Sequence, residues 1–317
     1  MHLVYDVAPE DNGKTALELL RQRLNFSAAA AKRVRLHGQL LCNGLPIRMI
    51  DPVPAGGKLD IIHEAPEQEC DLTFPPQVGD IRLLWQDSAF LIVDKPAGML
   101  THPNYIGETH NLLSWLNPGL HPVTRLDRDT SGLIIMARNA YIHSCFTQKP
   151  MEKYYLGVVH GQLAASSGCI DLPIGRAEGS IIERKVSPEG RPSLTEYEVL
   201  ADGLTPSGER LQLVRFHLLT GRTHQIRVHC AYLGHPLVGD TLYGHHDSAR
   251  TAEDLRLGRQ ALHAWSLRIQ HPMSSQVLVC RCRLPQDMEQ LLEACQLDFL
   301  PAAPVREALF TDELTLT

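Results

Sequence analysis

The run His121-Pro-Val-Thr-Arg125-Leu-Asp127-Arg-Asp129-Thr130-Ser131-Gly132, followed without a break by Leu133-Ile-Ile-Met-Ala137, decides how the chain is read. A dense polar cluster passes directly into a continuous apolar stretch of strand length. An uninterrupted apolar strand is one buried on both faces. A polar cluster on the lip of such a strand can be held with the accuracy that a reactive site needs. The same residue types also build ordinary turns, because Asp, Thr, Ser and Gly all favour them. Composition alone leaves both readings open.

Working outward, strand-like runs at 89–93, 154–159, 193–200, 210–219, 224–229 and 276–283 surround the segment 133–137, with helices expected at 109–116, 139–147 and 286–295. Strands joined by hairpin-length connections, with few helices between them, point to an α+β fold rather than a doubly wound parallel sheet. Ahead of this region, Thr15-Ala-Leu-Glu18 reads as a capping box that opens a helix over 15–24. A second helix is expected to start at Ser27 as its N-cap and to stop at Gly38. Asn43-Gly44 between Leu40-Leu-Cys42 and Leu45-Pro-Ile47 predicts a hairpin, and Lys58-Leu-Asp-Ile-Ile62 a strand. Residues 1–63 therefore form a small module, and the acidic, proline-rich stretch 64–79 reads as a linker. Residues 80–296 form the main domain and 297–317 a poorly ordered acidic tail.

The second segment rich in chemistry is Thr220-Gly-Arg222-Thr-His224-Gln225-Ile-Arg227-Val-His229. As a strand it would turn Gln225, Arg227 and His229 to one face, suiting a polar cleft. His224 and His229 are spaced for neither one strand face nor one helix face, and no metalloprotease-type His pair is present. The eight cysteines include no C-x-x-C pair; Cys280 and Cys282 share one face of an apparent strand. No metal is expected.

The chain has 317 residues, 44% of them hydrophobic and 21% charged, values ordinary for a soluble globular protein. No apolar stretch approaches the roughly 20 residues of a membrane helix. The start of the chain lacks the basic end and apolar core of a signal peptide, so a cytoplasmic protein without a membrane partner is expected. The net charge of −6 argues mildly against a polyanionic partner, but its distribution matters more than its sum. Lys14, Arg21, Arg23, Lys32, Arg33, Arg35 and Arg48 face only Glu18 within 14–48, whereas Asp287, Glu289, Glu293, Asp298, Glu307, Asp312 and Glu313 face only Arg306 within 287–317. A basic head and an acidic end are expected.

Together these segments resemble the RluA-type pseudouridine synthases, in the RluD-like branch that carries an N-terminal S4 RNA-binding domain. Four segments carry the resemblance, which spans roughly residues 10–295. Asp94-Lys95-Pro-Ala-Gly98 with His102-Pro103 resembles the opening K-P-x-G…H-P motif, and Arg125-Leu-Asp127-Arg-Asp-Thr130-Ser-Gly132 the R-L-D-x-x-T-S-G signature. Lys153-Tyr-Tyr155-Leu-Gly-Val-Val159-His-Gly161 resembles K-x-Y-x-x-x-V-x-G. Gly221-Arg-Thr-His-Gln-Ile-Arg227-Val-His229, continued by Gly234-His-Pro-Leu-Val-Gly-Asp240 and Tyr243-Gly244, resembles the G-R-T-H-Q-I-R-x-H block, and Leu262-His-Ala264 a late L-H-A motif.

The resemblance implies a mixed, largely antiparallel sheet with flanking helices, plus a small N-terminal S4-like domain. It implies that Asp127 is the catalytic residue, that Arg227 pairs with it, and that Tyr155 lies against the target base. Arg125, Lys153, Thr130, Arg222, His224 and Gln225 are expected to bind substrate, and Lys32, Arg33 and Arg35 to bind RNA. Asp129 falls on a variable position. Many relatives have His where this chain has Thr124. The implied chemistry isomerises uridine with no metal or organic cofactor, acting as a monomer on RNA, ribosomal RNA first and transfer RNA second. Two other readings stay open: a non-catalytic S4-type RNA-binding or ribosome-assembly factor, and a glycosidase using Asp127 and Asp129 as paired carboxylates.

Overall fold

Strand β1 (His2–Asp6) runs antiparallel to a strand more than fifty residues later, and two helices cross the face between them. The computed structural model describes residues 2–24, 26, 28–63, 73–103, 108–147, 149–245, 250–299 and 306–316. The capping box forms as its residues require: the Glu18 N–H donates to Thr15 Oγ1 and the Thr15 N–H to Glu18 Oε2, opening α1 (Ala16–Gln22). α2 (Ala28–His37) follows; its expected cap, Ser27, lies outside the described residues. β2 (Gly38–Cys42) and β3 (Leu45–Pro46) meet at Asn43-Gly44, where both residues have positive φ, as a primed hairpin turn demands. β4 (Lys58–His63) lies between β1 and β2. Leu19, Leu20, Val34, Leu59 and Ile61 fill the core of this module, each burial contributing roughly 1.5–3 kcal/mol.

The second unit begins with a hairpin whose first strand lies in the stretch expected to be linker: β5 (Gln77–Val78) pairs with β6 (Ile81–Gln86). β7 (Phe90–Lys95), α3 (Leu112–Trp115), β8 (His121–Pro122), β9 (Ser131–Ala137) and α4 (Ala140–Thr147) follow. Next come β10 (Met151–His160), β11 (Ser167–Asp171), the hairpin β12 (Ile174–Arg176) and β13 (Arg184–Val186), and the long pair β14 (Leu194–Leu204) and β15 (Arg210–Leu218). The chain continues through α5 (Gln225–Tyr232), α6 (Ala252–Leu257), β16 (Leu262–Gln270), β17 (Val277–Arg281) and α7 (Gln286–Ala294). It ends with β18 (Asp298–Phe299), α8 (Arg306–Leu309) and β19 (Glu313–Leu316).

The backbone of the main sheet runs β11-β14-β15-β10-β16-β9-β7-β6-β5. Its described pairings are antiparallel except β9 with β16, which is parallel through His263 opposite Ser131 and Ala264 opposite Gly132. This is the mixed, largely antiparallel α+β sheet expected. Every residue of β9 is buried, and its side chains alternate between two packed layers. Ile134 and Met136 join Leu126, Tyr155 and Ile226 on one side; Leu133, Ile135 and Ala137 join Phe90, Phe146 and Leu267 on the other. The unbroken apolar run is thus the strand at the centre of the molecule.

Two expectations fail here. Residues 224–229 are not a strand but the start of α5. The period-two alternation was accidental: Gln225 and His229, one helical turn apart, both reach Thr195. The acidic end is not loose among its described residues. β19 pairs with β17, Asp312 binds Arg82 and the Arg283 N–H, and Glu313 pairs with Arg281. Among the described residues no helix is long and apolar enough to cross a membrane.

Candidate active site

The loop between β8 and β9 is fastened from beneath by a lysine. Lys95, at the end of β7, has no exposed surface, and its Nζ donates to the carbonyls of Pro96, Met99 and Arg128 at 2.8, 2.8 and 2.9 Å. Burial lowers its pKa from the ordinary lysine value to about 7. Thr101 adds a second fastening, its hydroxyl accepting from the Leu126 N–H and donating to the Leu126 carbonyl. The Thr130 N–H closes the turn on the Asp127 carbonyl. Gly132 then enters β9 with φ at 112°, and a Cβ there would lie 2.3 Å from the Ala264 carbonyl oxygen, so no other residue fits. The carboxylate of Asp127 is left one-quarter exposed on the upper side of this loop.

Opposite stands α5. His224 takes a left-handed conformation, φ 58°, and the helix starting after it points Arg227 at the loop. Arg227 is buried between two carboxylates. Its Nε and Nη2 bind Asp240 at 2.7 and 2.8 Å, and its Nη1 donates to Asp127 Oδ2 at 3.1 Å. Burial disfavours the guanidinium charge, but Asp240 and Asp127 more than offset it and hold its pKa above the usual arginine value. Burial likewise opposes ionisation of Asp240, yet Arg227 and the Leu242 and Tyr243 N–H groups keep its carboxyl below the ordinary range.

The ring of Tyr243 lies 5.0 Å from the Arg227 guanidinium carbon. The Tyr243 hydroxyl accepts from the Arg184 N–H and stands 2.8 Å from His224 Nδ1. Burial pushes the His224 pKa down, and its Nε2 lies 3.8 Å from Asp127 Oδ1. Asp127 thus sits beside a fixed cation and an imidazole in a groove of about 890 Å³, whose walls include Lys153, Tyr155, Arg125 and Arg222.

An uncharacterized RNA pseudouridine synthase of Bacillus subtilis, YhcT, is 34% identical over 295 residues, covering 89% of this chain and 93% of the relative. The chain belongs to the RluA-type family of RNA pseudouridine synthases. The family model described as RNA pseudouridylate synthase matches residues 89–232, from β7 through α5. A ribosomal large subunit pseudouridine synthase D of Nitrosomonas europaea is 38% identical over 247 residues, 73% of this chain and 70% of that one. Among solved structures, human RNA pseudouridylate synthase domain containing 1 superposes with a TM-score of 0.58 at 28% identity, covering 75% of this chain and 97% of that one. The protein is an isomerase that converts uridine in RNA to pseudouridine.

Not every expected residue of this synthase reaches the groove with a free group. Tyr155 does border it; its hydroxyl pKa is raised by burial and by Asp127. Lys153 lines the wall half-buried, its amine pushed down by burial. Arg125 is exposed, with Nη1 3.3 Å from His102 Nε2. Arg222 is half-buried and donates through Nε to the Pro192 carbonyl. Gln225 is a correction. It is 2% exposed; its oxygen accepts from Thr220 Oγ1 and the Arg222 N–H, and its nitrogen donates to the Leu194 carbonyl and Thr195. With its bonds spent, it shapes the turn before α5 rather than meeting substrate. Thr130, also 2% exposed, accepts from Gln260 Nε2 and is likewise structural. Asp129 pairs with its neighbour Arg128.

His224 and His229 do not meet: His229 bonds Thr195 and the Leu172 carbonyl. Residue-type reasoning missed Asp240, Tyr243 and the fastening roles of Lys95 and Thr101. The first three stood inside quoted motifs without an assigned task, and Thr101 carried no signal of its own. On α2, Lys32 and Arg35 are exposed, while the Arg33 side chain lies outside the described residues.

Proposed function

We propose that Asp127 performs the isomerisation on a uridine turned out of a structured ribosomal RNA, with the N-terminal module acting as an S4-like RNA-binding domain. In this reaction the N1–C1′ bond of uridine breaks, the uracil turns in place, and C5 joins C1′; the proton lost from C5 balances the one gained at N1. A carboxylate acting on the ribosyl carbon or on C6 of the base must be held in place, and Arg227 Nη1 donates to Asp127 Oδ2 at 3.1 Å. That contact, on the floor of a groove wide enough for a nucleotide, is the observation that carries the reading. Turning a base out of a stack costs a few kcal/mol. An aromatic ring against the extruded base returns about 1–3 kcal/mol, the role given to Tyr155. Ribosomal RNA ranks ahead of transfer RNA because the Nitrosomonas relative is a ribosomal large subunit pseudouridine synthase.

The test is pseudouridine mapping of ribosomal and transfer RNA in cells holding the wild-type chain, the Asp127→Asn variant or no copy. One or more ribosomal pseudouridines are expected to vanish in the latter two strains alike. Wild-type levels of every pseudouridine in the Asp127→Asn strain would remove Asp127 from the chemistry. Loss confined to transfer RNA would overturn the ribosomal assignment.

A further inference from the structure

At the far end of β10 from Tyr155, about 16 Å along the strand at ~3.3 Å per residue, stands a second cluster of reactive side chains. His160 closes β10 and is 2% exposed. Its Nδ1 lies 2.7 Å from Glu209 Oε1, on the residue just before β15, and its ring centroid lies 4.5 Å from that of His245. One donor atom from each of His160, Glu209 and His245 falls within 4.8 Å of the other two. We propose that these three residues bind a first-row divalent transition cation such as Zn2+, in a structural site apart from the uridine groove.

Four observations support the assignment. The donor set, two imidazoles and one carboxylate, is one that such ions prefer over the all-oxygen shells of Mg2+ and Ca2+. The outer shell is also present. His160 Nε2 meets Asp254 Oδ1 at 2.9 Å, so the ring donates that N–H and turns Nδ1 toward Glu209, the arrangement typical of a metal-bound histidine. Asp254 is itself fixed, accepting from the Gly239 N–H at 2.6 Å and from the Thr251 N–H at the start of α6. Glu209 sits in a tight turn, its N–H on Thr205 Oγ1 and its carbonyl on the Thr205 N–H. Lastly, Glu209 and His245 are half-buried, so solvent reaches both side chains. The ion takes the place of the proton shared by Nδ1 and Oε1, so one proton leaves for each ion bound.

The other group of possible ligands, Asp94, His263 and Cys282, is less suited. Arg82 holds Asp94 at 2.6 Å, and burial keeps the Cys282 thiol protonated. Sequence spacing could not reveal the proposed site, because positions 160, 209 and 245 meet only through the β10–β15 pairing and the loop after Gly239. The site would brace that loop: Asp254 grips the N–H of Gly239, and the next residue, Asp240, anchors Arg227.

The full-length chain, stripped with chelator and freed of any affinity tag, is titrated with Co2+ and then with Zn2+. One Co2+ per chain is expected, with the visible absorption of a nitrogen- and oxygen-ligated ion, displaced by Zn2+. His245→Ala and Glu209→Gln should each weaken binding by about tenfold or more, and Cys282→Ser should not change it. Zn2+ should raise the melting temperature of the wild type and not that of His245→Ala, which alters a half-exposed loop residue and can be checked for folding by circular dichroism. Absence of bound ion, unchanged affinity in His245→Ala, or a sulfur-to-cobalt charge-transfer band lost in Cys282→Ser would each overturn the proposal.

Discussion

Arg227 is held by Asp240 through two hydrogen bonds and spends its remaining nitrogen on Asp127. The bidentate pair fixes the guanidinium plane, and the plane fixes where the third N–H points. Asp240 is therefore a positioning residue that acts through Arg227. Asp240→Asn keeps the shape but removes a charge and one acceptor from a buried pair, a class of change that costs about 3–5 kcal/mol when a partner is lost outright. Single-turnover kinetics should show the chemical step slowed at least about tenfold with the KM for RNA nearly unchanged, and a shifted acid limb in the pH profile. Equal losses in kcat and RNA affinity would instead mark Asp240 as merely structural. Arg227→Lys should not rescue, since an ammonium cannot span both carboxylates in one plane. At this scale the sequence displayed the actors better than their partners. Asp127, Tyr155 and Arg227 each stand in a quoted motif, and their meeting around one groove was expected. Gln225 and Thr130 were misassigned because a polar residue in a motif looks the same whether its bonds go to substrate or to the backbone beside it. Asp240 and Tyr243 gained roles only once α5 and the loop after Gly239 were brought together.

The parallel seam between β9 and β16 joins the Asp127 loop to the rest of the sheet. Gly132 lets the Ala264 backbone approach, and one residue away Ser131 Oγ meets His263 Nδ1 at 2.9 Å while His263 Nε2 meets Cys282 Sγ at 3.1 Å. Burial lowers the His263 pKa to about 4 from the ordinary 6.5. Between those values the unfolded chain takes up a proton that the folded chain refuses, so stability falls as pH drops from about 6.5 to about 4. The full loss is on the order of 3 kcal/mol. Urea unfolding at pH 7 and pH 5 should show a larger drop for the wild type than for His263→Gln, which starts less stable but carries no such group. Parallel pH slopes for the two proteins would refute this account. The seam also explains what the sequence could tell about elements. β9 was legible because burial on both faces writes itself as an unbroken apolar run. α5 was not, because its first six residues are buried whether polar or apolar and so show no polar stripe on a solvent face, the mark of a helix. β5 and β19 were missed for another reason: each is short, and pairing rather than propensity makes it a strand.

Across the whole molecule the charge of −6 misleads, because many of its carboxylates are already committed. Asp287 binds Arg259, Asp312 binds Arg82, and Glu313 binds Arg281, so the acidic end neutralises the catalytic unit's own arginines. The basic head is reduced by the same logic. Lys14 and Arg23 both close on the buried Asp11, and Arg48 pairs with Asp51, so they serve the module rather than a partner. That leaves Arg21 exposed on α1 and Lys32 and Arg35 exposed on α2, in a module whose Phe26 packs on Tyr141 of α4 with ring centroids 5.1 Å apart. Cations on a docked module, away from the groove, can add phosphate contacts without touching the chemistry. If both contact phosphate, replacing Lys32 and Arg35 with Ala should reduce the slope of log affinity against log salt by roughly 1.8 on duplex RNA or 1.4 on a single strand. Turnover at saturating RNA should stay within about twofold of wild type, because Asp127, Arg227 and Tyr155 are untouched. Filter binding across a salt series, run beside single-turnover assays on the same RNA, separates the two effects. An unaltered slope would mean that α2 does not meet the nucleic acid, and a collapsed turnover at saturation would mean that the module acts on the groove itself.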